Sequence, residues 1–456
     1  MQPEAALADF VVSLRADDIP AAARRRAIDA ITDCAGCALA GAETPLAASL
    51  LSVLSEPTTG AAYLFGAIRG AAPCDAALYN GAVAHALDFD DISHPAYCHP
   101  SAVLLPVLLA AAGLAPFDGR EAVTAYVIGL EVIGKLGHAL NLRHYKNGWH
   151  ATSTFGSLAA AMTAARLLGL TRVQTRTAIG IAASASSGLR VNFGTMTKPL
   201  HAGYAARNGL LAALLARSGF DASGDALSHR YGFAQTFNHG EGIALDALSD
   251  WGKPFEIMSE VGIALKPYPS CAATHTAIEA AAALRRQLNG SADIARVRVG
   301  MSEFAREPLI YVKPTTPLEA KFSMHYCVAA ALTRDTVDLA TFSPEVVADL
   351  AIADLIGRTE TYVDERVRDD REFAAVVSVE TRAGKHYEKL ITISAGKPAR
   401  WFTPEQLERK FLDCCGPHAS PDTATAAFRA LQQIDSDAPM QALCASLARV
   451  NTRSGA

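Results

Sequence analysis

Residues 203–220 read GYAARNGLLAALLARSGF, and this stretch sets the character of the fold. Ala and Leu recur at spacings of three and four residues, which predicts a helix with an apolar face. The small residues would let neighbouring helices approach closely. The same texture returns in residues 20–40, 120–140 and 156–170, with no β-rich window between them. We therefore predict a large all-helical domain over residues 1–265.

The texture changes after this domain, where KPYPSC carries two prolines. Residues 295–301, ARVRVGM, alternate as a strand does. Residues 373–396, FAAVVSVETRAGKHYEKLITISAG, are typical of a hairpin that turns at Gly384. We predict a smaller α+β lid domain over residues 266–396 and a helical C-terminal return, residues 397–456, that joins the first domain. The fold class is therefore mainly α.

The totals exclude several classes of partner. The chain has 456 residues, which favours two domains, and a formal net charge of −5 from 41 basic and 46 acidic residues. Because it lacks the basic footprint of nucleic-acid binders, we expect no nucleic-acid partner. The longest apolar run, residues 102–116, contains Pro106 and is too short to span a bilayer, so we expect no membrane partner. The N-terminus lacks a signal-peptide pattern, and we expect a cytoplasmic protein.

Four predicted helices begin beside a cation or an imidazole, which are His99, His150, Lys198 and Lys266. A helix N-terminus already carries partial positive charge, so a cation there costs about 0.3–1 kcal/mol unless an anion compensates. If the four starts converge, they form a pocket for a ligand with two or three carboxylates. A lone His at a helix start is more often a buried, hydrogen-bonded group, so the hypothesis depends on their co-occurrence.

Residues 86–106, ALDFDDISHPAYCHPSAVLLP, place three carboxylates and two imidazoles between apolar segments. These donors would suit Mg, Mn, Fe or Zn, but their spacing matches no metal-ligand motif, so a metal site is the less favoured alternative. Cys34 and Cys37 fall in a helical pattern without a second pair, which favours buried thiols over a zinc or redox site. The chain also lacks G-x-G-x-x-G, Walker and G-x-S-x-G motifs. We expect acid–base chemistry without a cofactor.

Five motifs in order resemble the MmgE/PrpD family over nearly the whole chain: NGAVAHALDFDD with HPS, GWHATSTFG, TKPLHAGYAARNG, KPYPSCAATH and EAKFSMHY. The family includes 2-methylcitrate dehydratase, cis-aconitate decarboxylase and iminodisuccinate epimerase. The resemblance implies a helical domain with an α+β lid, an active site in the cleft between them, a homodimer and no metal. Ile92 and Cys271 stand where the decarboxylase has Thr and His, which ranks decarboxylation below the other two reactions.

The resemblance also carries site residues over one by one. It implies catalytic roles for Asp88, His99, His150 and Lys198, and substrate-binding roles for Lys198, Lys266 and Tyr326. Cys271, at the position of the decarboxylase histidine, is expected to bind substrate as well.

In the expected mechanism, Lys198 and Lys266 clamp carboxylates of a small polycarboxylate substrate. His150 removes a proton next to a carboxylate, because an ordinary imidazole pKa of about 6.5 suits transfer at neutral pH. Asp88 orients His99, which protonates the leaving hydroxyl. The function expected first is a cofactor-independent dehydratase of a 2-methylcitrate-like acid. The alternatives are an epimerase or racemase of a dicarboxylate, a cis-aconitate-type decarboxylase, and a non-catalytic polycarboxylate-binding protein.

Overall fold

The computed structural model describes residues 2–54, 62–288, 293–368, 370, 372–416 and 419–450. The fold is mainly α, as the sequence predicts, with 57% of residues in helices and 9% in strands. The chain forms two compact units. The first comprises residues 1–192, 196–265 and 402–456, and the second comprises residues 193–195 and 266–401.

The first unit is built from helices that the Ala- and Leu-rich windows predict. Its described helices are α1 (Pro3–Ser13), α2 (Ala21–Gly41), α3 (Pro45–Leu51), α4 (Pro73–His85), α5 (Ser101–Ala111), α6 (Gly119–Leu140), α7 (Arg143–Lys146), α8 (Ala151–Leu167), α9 (Arg172–Ala185), α10 (Thr197–Arg217), α11 (Phe233–Asn238), α18 (Pro404–Cys415), α19 (Pro421–Gln432) and α20 (Met440–Val450). Cys34 and Cys37 are buried in α2 as free thiols, in agreement with the sequence.

Helix α10 lies between α4 and α8 at distances that only glycine permits. A Cβ atom at Gly203 would lie 2.2 Å from the carbonyl oxygen of Leu78 in α4. A Cβ atom at Gly209 would lie 2.3 Å from the Cβ atom of Ala160 in α8. The small residues of the opening stretch therefore set both helix–helix contacts, and they fix the position of the N-terminal turn of α10.

The first unit also contains a short β-ribbon, so the prediction of an all-helical domain is wrong in this detail. Strand β1 (Ile92–Ser93) pairs antiparallel with β2 (Ile263–Ala264). Each strand has only two residues, too few for an alternating pattern to be recognised in the sequence. The ribbon lies in the acidic stretch and anchors it to the end of the unit's second segment.

The second unit contains a four-stranded sheet and short helices. The strands β3 (Ile294–Met301), β4 (Thr359–Val363), β5 (Ala375–Thr381) and β6 (His386–Ile391) are arranged in the order β4-β3-β5-β6. The hairpin of β5 and β6 and the strand β3 were predicted, and Gly384 takes a left-handed φ of 78° at the turn. Strand β4, parallel to β3, was not predicted. The helices are α12 (His275–Arg285), α13 (Glu303–Arg306), α14 (Pro317–Ala320), α15 (Met324–Thr333), α16 (Pro344–Val347) and α17 (Leu350–Gly357).

The C-terminal helices α18 to α20 belong to the first unit. The second unit runs to Trp401, so residues 397–401, which we assigned to the helical return, belong to it instead. Helix α18 packs closely on α2, because a Cβ atom at Gly36 would lie only 3.1 Å from the ring of Phe411.

Helix α6 is long and apolar enough to cross a membrane, and 94% of its most apolar window is buried inside the protein. Helices that are apolar on all sides also form the cores of large proteins. Asp118 caps α6 by accepting a hydrogen bond from the Glu121 N–H at 2.8 Å. The burial of its apolar window identifies α6 as a core helix of the first unit.

The Gly203→Ala variant tests the close contact between α4 and α10. Alanine favours a helix by about 1 kcal/mol over glycine, but here its methyl group would overlap the Leu78 carbonyl, so we expect a net loss of about 2 kcal/mol in the free energy of unfolding. Urea unfolding measures it. In the control Gly113→Ala the new methyl group meets its nearest neighbour at 3.6 Å, and stability should hold. Equal stability of the two variants would contradict this packing.

Candidate active site

Three of the four predicted helix starts meet in the first unit. The backbone N–H of His99 donates to Thr152 Oγ1 at 3.1 Å, which joins the start of α5 to the first turn of α8. The ring centroids of His99 and His150 are 6.5 Å apart. Lys198 stands in the first turn of α10. Asp88 joins them by accepting a hydrogen bond from Lys198. The structure thus brings together the four residues to which the resemblance gives catalytic roles.

The loop between α4 and α5 supplies the carboxylates. It folds back on itself through two hydrogen bonds between the backbones of Ser93 and Cys98, of 2.8 and 3.3 Å. Asp88 has a left-handed φ of 52°, which is uncommon outside glycine, although Asp tolerates it better than most residues. Strained backbone of this kind clusters at functional sites, where surrounding contacts hold it in place.

The Lys198 ammonium is buried and held by two partners. Its Nζ atom donates to Asp88 Oδ1 at 2.6 Å and to His85 Nε2 at 2.8 Å. Because an ammonium only donates, His85 Nε2 must be an acceptor, so this imidazole is neutral. Burial lowers the pKa of His85, and Lys198 adds to that effect against the opposing influence of Asp90. The neutral ring is therefore the stable form beside the lysine.

Asp90 connects the two imidazoles of the loop. His85 donates its Nδ1–H to Asp90 Oδ1 at 2.8 Å. His99 donates its Nδ1–H to the carbonyl oxygen of Asp91 at 2.9 Å, and this nitrogen lies 3.3 Å from Asp90 Oδ2. In the neutral ring of His99, Nε2 is thus the unprotonated nitrogen, 3.8 Å from Asp88 Oδ1. We predicted that Asp88 orients His99, but Asp90 and the Asp91 carbonyl do so, because the Asp88 carboxylate is paired with the lysine.

Asp90 and Asp91 are adjacent, both fully buried, and ionise differently. Burial raises the pKa of each carboxyl, but in Asp90 the imidazoles of His85 and His99 outweigh it and hold the pKa well below its usual range. Burial raises the pKa of Asp91 to about 8, although Ser101 donates to it through N–H at 3.0 Å and through Oγ at 2.5 Å. At neutral pH, Asp90 is therefore charged and Asp91 keeps its proton.

A second imidazole pair lies close enough to Lys198 to feel its charge. The Nδ1 atoms of His150 and His201 are 3.0 Å apart, so one hydrogen is shared and one ring donates to the other. Burial, followed by Lys198, lowers the pKa of His150 well below its usual value, so the ordinary imidazole pKa that we expected for this residue is wrong. Burial lowers the pKa of His201 to about 4. Both rings are neutral at pH 7 and can accept a proton.

The sequence reasoning missed His85 and the role of Asp90. His85 is the last residue of α4, whereas the sequence prediction singled out residues at helix starts. The available signal was local spacing, because His85, Asp88 and Asp90 fall within one turn and the loop that follows it. That spacing alone does not predict which carboxylate meets which imidazole, since the left-handed turn at Asp88 decides it.

The donor set raises the question of a metal ion. One atom each from His85, Asp88, Asp90 and His99 lie within 4.8 Å of one another, and imidazoles with carboxylates suit several divalent ions. Lys198 Nζ is hydrogen-bonded to two of these four donors. An ammonium thus supplies the positive charge at this position, and the geometry favours a lysine-centred cluster.

The remaining predicted residues lie in the second unit. Lys266 is buried, with 2% of its surface exposed. The Cys271 N–H donates to the carbonyl oxygen of Lys321 at 3.0 Å. Tyr326 is fully buried in α15, and its hydroxyl donates to the carbonyl oxygen of Thr341. The substrate-binding role of Tyr326 stays a prediction. The roles of Lys266 and Cys271 stay predictions.

Comparisons with known proteins agree with the sequence motifs. A model described as the MmgE/PrpD N-terminal domain matches residues 5–246, and one described as the MmgE/PrpD C-terminal domain matches residues 268–435. The chain is 28% identical to the cis-aconitate decarboxylase of Homo sapiens over 377 residues, 80% of this chain and 77% of the relative. It is 30% identical to the cis-aconitate decarboxylase-like protein oryM of Aspergillus oryzae over 420 residues, 86% of each. It is 29% identical to the cis-aconitate decarboxylase of Aspergillus terreus over 364 residues, 74% of this chain and 73% of the relative.

The neighbouring carboxyls predict opposite effects of the same substitution. Asp90→Asn removes a charge that two imidazoles stabilise, and we expect a loss of about 3 kcal/mol in the free energy of unfolding at pH 7. Asp91→Asn replaces a carboxyl that is neutral in the folded protein but charged in the unfolded chain at pH 7. The amide needs no proton uptake on folding, so we expect this variant to be more stable than the unaltered protein at pH 7. Urea unfolding at several pH values measures both.

The pH dependence follows from the two pKa directions. The folded pKa of Asp91, about 8, exceeds its unfolded value, so its contribution to stability falls as pH rises from about 4 to about 8. Asp91→Asn should therefore gain relative stability across that window. The contribution of Asp90 is present above about pH 4 and lost in stronger acid, because its folded pKa is depressed. Equal losses for both variants at pH 7 would contradict the assignment.

Proposed function

Because the chain belongs to the MmgE/PrpD family, we propose that it is a lyase that acts on a small polycarboxylate by proton transfer next to a carboxylate. The reaction we expect first is the dehydration of a 2-methylcitrate-like hydroxy acid. The observation that carries the proposal is the buried Lys198 ammonium, which is held by Asp88 and His85 and whose charge reaches the neutral rings of His150 and His201.

The charge of Lys198 supplies what this chemistry needs. When a proton leaves the carbon next to a carboxylate, negative charge builds on that carboxylate, and a fixed cation placed there beforehand stabilises the transition state. Burial makes this interaction stronger than it would be in water. The starts of α5, α8 and α10 add the partial positive charge of helix N-termini at the same place.

The imidazoles are suited to move the proton. His150 has a lowered pKa and is neutral at pH 7, so it can act as the base. His201 can share the proton that His150 takes up, since their Nδ1 atoms are 3.0 Å apart. His99 presents an unprotonated Nε2 beside Asp88. To act as the acid, this nitrogen would first take up a proton from water and then give it to the hydroxyl, which leaves as water. Dehydration needs one base and one acid, and the cluster offers both.

Decarboxylation is the second candidate, because the relatives described above are named as cis-aconitate decarboxylases or as decarboxylase-like. Loss of carbon dioxide would leave a carbanion next to a carboxylate, which Lys198 would stabilise and an imidazolium would protonate. Ile92 and Cys271, which differ from the decarboxylase pattern, argue for a different substrate.

One experiment separates these reactions. The protein is incubated in deuterated water with 2-methylcitrate, cis-aconitate or a dicarboxylate enantiomer, and products are followed by proton NMR. An alkene with loss of water supports the dehydratase, and release of carbon dioxide supports the decarboxylase. Deuterium incorporation with inverted stereochemistry and no alkene would support an epimerase. Tight binding without exchange or product would contradict an enzymatic function.

Lys198→Met tests the central cation. We expect kcat/KM to fall about 10³-fold, because charge developing on the substrate loses its partner. Arg217→Met, at the exposed end of the same helix, is the matched control and should leave the kinetics unchanged. Circular dichroism confirms that both variants keep their helices. Unchanged kinetics of folded Lys198→Met would remove this residue from the site.

His150→Gln tests the assignment of the base. We expect kcat to fall by about 10²-fold or more while KM changes little, because a base acts in the transition state and not in substrate binding. The exposed His229→Gln is the control. A variant that mainly raises KM would make His150 a binding residue and leave the base to another imidazole.

A further inference from the structure

Lys410, in α18, contacts Asp33 and Phe89 next to the acid–base cluster. Its Nζ atom lies 2.7 Å from Asp33 Oδ1, donates to the carbonyl oxygen of Phe89 at 2.8 Å, and lies 3.8 Å from the centre of the Phe89 ring. Lys410 is 8% exposed and Asp33 2% exposed. All of these residues belong to the first unit.

Phe89 lies between Asp88 and Asp90, the two carboxylates of the cluster. Asp88, before it, takes the left-handed φ of 52° and holds Lys198. Asp90, after it, accepts from His85 and lies beside His99. The hydrogen bond from Lys410 fixes the Phe89 carbonyl, and with it the plane of the peptide bond that leads into Asp90. A rotation of this peptide would move the carboxylate that orients both imidazoles.

We infer that Lys410 is a positioning residue, which acts through the Phe89 carbonyl to hold Asp88 and Asp90 in their working arrangement. The inference rests on the proposed function, and it gives α18 the role of holding the carboxylates of the active site in place. Helix α18 reaches this position because Gly36 lets it pack closely on α2, the helix that carries Asp33. Displacements of about 1 Å in an active site can cost about 10²-fold in rate.

The simplest alternative is that Lys410 only neutralises the buried Asp33. In that case activity would change in parallel with stability. Replacing both Asp33 and Lys410 would then restore activity and stability together, since a buried ion pair replaced by neutral groups often costs little. The positioning role predicts a different outcome, because Phe89 would still lack its donor. A double-mutant cycle with Asp33→Asn and Lys410→Met distinguishes the two roles.

We expect Lys410→Met to lower kcat by about 10²-fold with KM changed less than about threefold. Asp33→Asn should keep kcat, because the lysine still donates to Phe89. The double variant should recover stability but keep the low kcat of Lys410→Met. The exposed neighbour Arg409→Met is the control and should behave as the unaltered protein. Recovery of kcat in the double variant would overturn the inference.

A second readout does not require turnover. In protein labelled with ¹⁵N at histidine, imidazole signals report which nitrogen carries the proton, and His85 and His99 should show protonated Nδ1. Lys410→Met should change these signals, whereas Asp33→Asn and Arg409→Met should not. Absence of activity in every protein, with the signals changed as described, would contradict the proposed function and support the positioning role. Unchanged signals in Lys410→Met would overturn it.

Discussion

The buried ammonium of Lys198 is the interaction on which the site depends. A charge without partners in a protein interior is very unfavourable, so this lysine requires the Asp88 carboxylate and the acceptor nitrogen of His85. Both partners come from α4 and the loop that follows it, whereas the lysine comes from α10. Their meeting requires the glycine contacts between α4, α8 and α10, because α10 carries the lysine in its first turn. The packing of small residues is therefore also the basis of the electrostatics.

The same interior sets the ionisation of the surrounding groups. Two consecutive carboxyls differ because one faces two imidazole N–H groups and the other faces Ser101. Burial and the nearby lysine keep His85 and His150 neutral. Groups of one chemical type with pKa values pushed apart are typical of acid–base catalysts. A cluster with one fixed cation, Lys198, two carboxylates, Asp88 and Asp90, and several neutral imidazoles can take up a proton and return it.

Much of this arrangement could be predicted from the sequence. The helical texture, the change near Lys266 and the hairpin at Gly384 follow from periodicity and turn residues. The excess of cations at helix starts indicated four residues that would converge. His99, His150 and Lys198 do so in the first unit, where Asp88 joins them, whereas Lys266 belongs to the second unit. The partner of each carboxylate could not be predicted, since it depends on the left-handed backbone at Asp88. Contacts between distant segments, such as Lys410 with Phe89 and the ribbon of β1 with β2, leave no periodic signal.

The account makes Lys198 the group that receives a carboxylate of the ligand. A crystal structure with tricarballylate, a tricarboxylate without a leaving hydroxyl, tests this most directly. We expect one carboxylate oxygen within hydrogen-bonding distance of Lys198 Nζ, about 2.7–2.9 Å, with the rings of His99 and His150 beside the ligand's carbon chain. A ligand bound elsewhere in the protein, with Lys198 still enclosed by Asp88 and His85, would contradict the account.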